Sequence, residues 1–327
     1  MTGEGEFAQI KRYFAPLSEG AFGAGELGDD GTLIDLSPDE TFAVSTDTSV
    51  SGVHFLTHED PDIIARRALR TALSDLAAMG AEAFGYTLNL TLPDGSDETF
   101  LARFCQGLTV DQATFGVRLL GGDTTRGSDN LVVSVTVFGR RPNGVALRRS
   151  GARAGDSIVV TGSIGDAGLG LLIAKGELGL DEPDQAFLLD RYRLPQPRLR
   201  VGRITRRFAS AAIDISDGLL ADIGHIASQS QLTAHLDLGN VEVSGAAQNW
   251  LTSQNHQTEA RLRLATAGDD YELALTTAQP VALMAELGEF GLQASVVGHL
   301  ESFDGEFLKI FHDGSPVEFN RTGFTHF

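Results

Sequence analysis

Apolar residues along the first half of the chain follow two alternating spacings, each bounded by turn residues. In "TFAVSTDT" (41–48) an apolar stretch gives way to hydroxyls and an acid, which predicts a strand running into a polar end. "PDIIARRALRTALSDLAAMG" (61–80) opens on Pro61 and closes on Gly80, the punctuation of a helix. "AFGYTLNLTL" predicts a second strand and "ETFLARFCQGLTVDQATFG" a helix ended by Gly116. "VRLLGGDTT" and "NLVVSVTVFGR" predict two more strands, joined by a turn at "RGSDN". The pattern breaks at "RRPNGVALRRSGARAGD", where Pro, Gly and Arg interrupt it. Beyond the break, "SIVVTG" predicts a short buried strand and "DAGLGLLIAKGEL" a helix, and the basic stretch after Pro197 is expected to be helical. "AAIDISDGLLADIGHIASQS" predicts a strand turning into a helix, and "VALMAELGEFG" a last helix among several strands. The expected fold class is mixed α+β in two domains, 1–140 and 145–327.

Composition narrows the function. A chain of 327 residues is long enough for two cores, and its formal net charge of −19 opposes a nucleic-acid or anionic-membrane partner. Lysine is almost missing (Lys11, Lys175 and Lys309), so arginine carries the basic chemistry. Cys105 is the only cysteine, which excludes an internal disulfide and a cysteine zinc site. The opening "MTGEGEFAQIKRYF" lacks a signal-peptide layout, and no apolar run approaches the roughly 20 residues that span a bilayer. A soluble, cytoplasmic protein is expected.

The excess acid is not scattered. "LGDDGTL", "STDTS", "GGDTT", "DISDG" and "AGDDYE" each set aspartate beside glycine or hydroxyl residues. Asp75 is the only charged side chain from Thr71 to Gly80, so burying it calls for a cationic partner. A salt bridge to Arg67 or Arg70 would serve, but a metal ion explains the isolation better. Asp47 and Asp123 stand at strand ends next to hard oxygen donors (Ser45 and Thr46 beside the first), either as turn residues bonding their own backbone or as ligands. At "DISDG", Ser216 or Asp217 either caps the helix that follows or belongs to a phosphate site made of backbone donors. Asp269 and Asp270 carry the weakest signal of the set. Donors of this type, without nearby Cys and with little His, select magnesium, manganese or calcium. Magnesium takes one or two carboxylates per ion and fills its shell with water and phosphate, so five such motifs imply several ions around a polyphosphate. The side-by-side Asp29 and Asp30 become tolerable on the same terms. No GxxxxGK[ST] loop is present, and the glycines of "GSIGDAGLG" lack dinucleotide spacing and suit close packing.

The ordered set "LGDDGTL", "STDTSVSGVHF", "ALRTALSDLAAMGA", "GGDTTRG", "RRSGARAGD", "TGSIGDAGLGL", "DISDGL", "AGDDYEL" and "GFTHF" resembles the thiamine-monophosphate kinase family, within the aminoimidazole-ribonucleotide-synthetase-like superfamily. The resemblance implies a two-domain architecture whose N-terminal domains pair through their sheets in a homodimer. It implies Mg2+-dependent transfer of the ATP γ-phosphoryl group to thiamine phosphate. It further implies that Asp30, Ser45, Thr46, Asp47, Asp75, Asp123, Asp214 and Asp217 hold magnesium. Gly122, Asp123, Arg149 and Ser216 would contact ATP, and His54, Asp269 and Phe324 would line the thiamine phosphate pocket. Asp269 departs from the Glu of many relatives, and neither Phe104 nor Cys105 is assigned where relatives often carry a nucleotide-contacting tyrosine. The rival within the superfamily is a synthetase acting on a purine intermediate; the rival outside it is a non-catalytic cation-binding protein.

Overall fold

A computed structural model describes residues 6–20, 34, 37–142 and 147–324. It divides into two compact units, Met1–Leu76 with Ala81–Gly144, and Ala77–Gly80 with Val145–Phe327.

In the first unit a short helix α1 (Glu6–Gln9) precedes β1 (Glu40–Val50), α2 (Pro61–Ala78), β2 (Glu82–Pro93), α3 (Glu98–Phe115), β3 (Arg118–Ser128) and β4 (Val132–Pro142). The sheet order is β1-β4-β2-β3. The β2–β3 pair is parallel, as the α3 crossover between those strands requires, and the other two pairs are antiparallel. Asp97 caps α3 by accepting from the Phe100 N–H at 2.9 Å, and Gly116 ends it in the left-handed region. Alternation along each strand fills one face of the sheet with Tyr86, Leu88, Leu90, Val133, Val135 and Val137, all buried. Both long helices reach this inner face: Ser45 of β1 bonds Asp75 of α2, and Gln112 of α3 donates to the Tyr86 hydroxyl at 3.1 Å. Arg70 of α2 clasps Asp111 of α3 with two hydrogen bonds, 2.6 and 2.8 Å.

The second unit comprises β5 (Ser157–Thr161), α4 (Asp166–Ala174), α5 (Glu182–Arg193), α6 (Leu199–Thr205), β6 (Ala211–Asp214), α7 (Leu219–Ser230), β7 (Leu232–Asp237), α8 (Gly245–Thr252), α9 (Gln257–Ala265), β8 (Leu273–Thr277), α10 (Pro280–Glu289), β9 (Ala294–Ser302), β10 (Leu308–His312) and β11 (Ser315–Pro316). Its sheet runs β11-β10-β7-β9-β5-β8-β6. Apolar side chains fill both faces. Ile158 and Val160 of β5 join a cluster with Leu219, Ile223 and Ile226 of α7, while Val159 between them joins Leu283 and Leu287 of α10. A third cluster gathers Leu169, Leu188, Trp250 and Leu264 from α4, α5, α8 and α9. The glycines of "GSIGDAGLG" serve this packing. A Cβ at Gly165 would stand 2.5 Å from that of Leu264, and one at Gly170 would stand 2.1 Å from the Leu188 carbonyl oxygen.

Helix α4 stops at Ala174, short of the expected "KGEL", and the basic stretch carries α5 before Pro195 as well as α6 after Pro197. Among the described residues no helix is long and apolar enough to cross a membrane.

Candidate active site

Along β1, Ser45, Asp47 and Ser49 point inward, while Val44, Thr46 and Thr48 are exposed on the outer face. Helix α2 sets Thr71 and Asp75 one turn apart, on the same side, against those inward residues. The Ser45 hydroxyl donates to Asp75, and the carboxylate of Asp47 is pushed up to about 6, first by burial and then by the charge of Asp75, with the Thr71 hydroxyl partly offsetting both. Asp47 and Asp75 are therefore a like-charged pair held together by the fold. Among the alternatives for Asp75, Arg70 is engaged with Asp111.

The Thr46 side chain bonds the Thr136 hydroxyl at 2.9 Å on the outer face, so only its main chain stays with the cluster. Ser51 donates its N–H to Leu131 at 2.9 Å, while Val50 uses both its N–H and its carbonyl on His54. This alternation turns the backbone groups of even-numbered β1 residues, Thr46 included, away from β4 and toward the open edge of the sheet. His54 accepts the Val50 N–H on Nδ1 at 3.0 Å, which leaves the proton of the neutral ring on Nε2.

Asp123 is elsewhere. Register runs Asp47–Val135–Leu88–Gly122 across four strands, so β1 and β3 are the two edges of the sheet, about 14 Å apart at ~4.8 Å per strand. Asp123 pairs with Asn89, and both are exposed on the outer face with Ser134 and Thr48. Asp47 and Asp123 of one chain do not share an ion. Gly122 owes its identity to packing, since a Cβ there would lie 1.9 Å from the Leu88 carbonyl oxygen. Asp30, and Asp29 beside it, lie outside the described residues.

In the second unit, "DISDG" is the turn from β6 into α7, and Asp214 ends the strand in a buried position. The N–H groups of Ser216, Asp217 and Gly218 all point at one carboxylate oxygen of Asp222, at 3.0, 3.1 and 3.2 Å. The backbone donors expected to hold a phosphate are thus taken by the chain's own acid, one turn into α7. Burial and the neighbouring Asp217 raise Asp222 to about 7 against those three hydrogen bonds. The Asp217 and Asp222 carboxylates and a His225 ring nitrogen lie within 4.8 Å of one another, a second grouping able to take a cation.

"AGDDYE" and the C-terminus converge on the same turn. Asp269, in the left-handed region at φ 66°, donates its N–H to the Ser216 carbonyl at 2.8 Å, and Phe324 donates its own to the Asp217 carbonyl at 2.8 Å. Ser216, Asp217, Asp269 and Phe324 are therefore neighbours, with Phe324 exposed. Arg149 is not among them. Its carbonyl accepts from Ser230 at the C-terminal end of α7, and the adjacent Arg148 carbonyl accepts the Ala212 N–H at 3.4 Å, which puts it beside the start of β6, two residues short of Asp214.

Sequence reasoning undervalued the other acids of "AGDDYE". Asp270 accepts the N–H groups of Gly165 at 2.8 Å and Ala167 at 3.4 Å at the start of α4, and its burial raises its carboxyl well above the usual range. Glu272 is fully buried and accepts from Arg191 at 2.9 Å, from Arg198 Nε at 2.7 Å and from Thr161 at 2.7 Å. Phe104 and Cys105 are both buried in α3, where burial pushes the thiol up to about 12.

Residues 28–141 match the AIR synthase related protein N-terminal domain, and residues 153–310 match its C-terminal domain. The chain is 42% identical to a thiamine-monophosphate kinase of Caulobacter vibrioides, over 98% of this chain and 90% of that one. The chain belongs to the thiamine-monophosphate kinase family. The Escherichia coli K12 member is 40% identical, with 99% of this chain and 98% of that one covered. Among solved structures, the family member of Stenotrophomonas maltophilia K279a superposes with a TM-score of 0.80 at 37% identity, over 89% of this chain and 91% of that one. The protein named AaThiL, solved in complex with AMPPCP and TMP, superposes with a TM-score of 0.77 at 26% identity, over 99% and 97%.

Proposed function

We propose that the protein is an ATP-dependent thiamine-monophosphate kinase, moving the γ-phosphoryl group of ATP directly to thiamine phosphate and releasing thiamine diphosphate and ADP. Membership of a kinase family supports the activity. The geometric observation that carries the mechanism is the Asp47–Asp75 pair, a repulsion built into the fold that a bound cation would relieve. A reaction drawing on ATP supports a cytoplasmic setting.

The donors at both clusters are carboxylate, hydroxyl and carbonyl oxygens, with the His225 imidazole beside the second, and such a set fits magnesium. Asp47, Asp75, Ser45 and the Thr46 carbonyl would hold one ion in the first unit, and Asp214 and Asp217 another in the second. Bound magnesium supplies positive charge where two phosphate-bearing molecules must meet. The acceptor oxygen needs no general base, because a phosphate monoester has its second pKa near 6 and is mostly dianionic at neutral pH. Positioning is then the main task of the chain. Ser216 and Arg149 of the second unit would touch different parts of one extended nucleotide. Asp269 and Phe324, an acid beside an exposed aromatic ring, suit a cationic aromatic substrate such as the thiazolium, and in the first unit the Nε2 proton of His54 suits a phosphate oxygen.

The assay that tests this reading offers ATP and Mg2+ with thiamine phosphate, with aminoimidazole ribonucleotide precursors, or with no acceptor. Thiamine diphosphate should form in the first mixture alone. Turnover only with the purine precursor would favour the synthetase, and none anywhere would favour a binding protein.

Proton competition gives a second expectation. Asp47 is raised from 3.8 to about 6, so its proton is held more tightly in the folded chain than in the unfolded one. That stabilisation of the metal-free protein is full below about pH 4 and is lost as pH rises through 6. A cation must displace the same proton, so Mg2+ affinity should fall as pH drops from 7 to 5. Calorimetric titration at several pH values measures it, and a flat profile would count against Asp47 as a ligand.

The placement of Asp123 supports the homodimer. A second copy meeting the β1 edge with its β3 edge would bring its Asp123 beside the Thr46 carbonyl, which opens onto that edge one residue before Asp47. The exposed face offers apolar surface for such pairing, with Val44 57% exposed and the Phe42, Phe84 and Phe138 rings 5.9 and 6.4 Å apart in sequence. Asp47→Asn and Asp123→Asn chains should each be nearly inactive. Refolded together in equal amounts, they should regain about a quarter of wild-type activity, because half the dimers carry one intact site of two. Activity no higher than the sum of the parents would show that Asp123 does not act across the dimer.

A further inference from the structure

Glu301 lies two residues beyond His299 on β9, and His299 is the direct cross-strand partner of His235 on β7. Alternation sends all three side chains to the face opposite Ala234, Leu236 and Leu300, which are buried in the α7 cluster. His235 Nε2 stands 3.4 Å from one Glu301 oxygen and His299 Nε2 stands 3.0 Å from the other, and the three donor atoms lie within 4.8 Å of one another. The His235 ring is fixed between His299, with centroids 5.1 Å apart, and Phe311 of β10 at 5.8 Å.

A carboxylate bridging two imidazoles by hydrogen bonds is the plain alternative. It accounts for His299 but not for His235, whose Nε2 is buried and makes no hydrogen bond. We propose that His235, His299 and Glu301 bind a first-row transition dication of the zinc class, at a site separate from the phosphoryl-transfer carboxylates. Zinc bonds to nitrogen and oxygen of about 2.0–2.2 Å at tetrahedral angles set neighbouring donors about 3.4 Å apart; His235 stands at that distance from Glu301, His299 is somewhat closer, and all three donors lie within 4.8 Å of one another. Two imidazoles and one carboxylate suit zinc, copper, nickel or cobalt and disfavour magnesium. His299 and Glu301 are half exposed, which leaves the outer coordination position to water. Both rings must present Nε2 lone pairs, so each neutral ring carries its proton on Nδ1. Lys309 flanks His235 from β10, but its ammonium is drawn off by Asp304. β9 and β6 are three strands apart in the sheet, which separates this site from Asp214 by roughly 14 Å. The ion would clip β7 to β9.

The test is equilibrium dialysis of the full chain against Zn2+ with millimolar Mg2+ present to occupy the carboxylates. Wild type should retain one Zn2+ that His299→Ala and Glu301→Gln bind about 10-fold more weakly or lose, since removing even an outer-shell partner costs that much. Both substitutions are on exposed side chains, so circular dichroism and magnesium-dependent kinase activity should be unchanged. Cobalt in place of zinc should give tetrahedral visible bands in wild type only. Equal zinc binding by wild type and both variants, or no binding in competition with Mg2+, would overturn the proposal.

Discussion

Asp75→Asn is expected to lower turnover by about 100-fold or more, the scale seen when one pre-organised charge-stabilising group is removed. The amide keeps the size of the side chain and can still accept from Ser45, so the fold should persist. Asp47 would lose the like charge beside it, and its carboxyl should drop toward its ordinary value. Metal-free Asp75→Asn should therefore melt no lower than wild type at pH 8, and higher if the repulsion dominates. Activity loss combined with retained or raised Tm separates a ligand from a structural acid. Near-normal turnover at ordinary Mg2+ would remove Asp75 from the mechanism.

Glu272→Ala should give the largest loss of stability. It takes the shared carboxylate from Arg198 and leaves Arg191 with Asp166 at 3.8 Å, and the two arginine side chains are only 21% and 10% exposed. Removing one partner of a buried ion pair costs about 3–5 kcal/mol. For a unit of this size the melting temperature should fall on the order of 10 °C. Asp270 and Asp269 stand just before Glu272, so substrate binding should weaken along with the fold. Glu272→Gln keeps two acceptor contacts at most and should fall between the two. Differential scanning calorimetry measures both, and a shift under 2 °C would mean the arginines find other anions.

Legibility of the chain varied with the kind of signal. Helices α2 and α3 were plain because Pro61, Gly80 and Gly116 punctuate an apolar period. Asp75 was plain as well, because a lone charge in "TALSDLAAMG" has few comfortable explanations. The split between Thr46 and Asp47 was available from the period of a strand, in which neighbours face opposite ways. Strand order was not available. "STDTS" and "GGDTT" look alike as strand ends in the sequence, yet Asp47 and Asp123 both fall inside 11-residue strands, and three inter-strand spacings and a change of face separate them. Helices α8 and α9 lacked punctuation as clear and received no assignment. Glu272 and Asp222 were missed for one reason: a buried acid satisfied by arginines or backbone N–H groups is written with the same letter as a solvated one.

The central claim is that dispersed acids in this chain hold the cations that let one phosphate attack another. Anomalous diffraction from crystals grown with Mn2+ and a non-hydrolysable ATP analogue tests it most directly. Manganese peaks within bonding distance of Asp47 and Asp75, and of Asp214 or Asp217, are the predicted result. Analogue bound with no manganese at any of these carboxylates would contradict it.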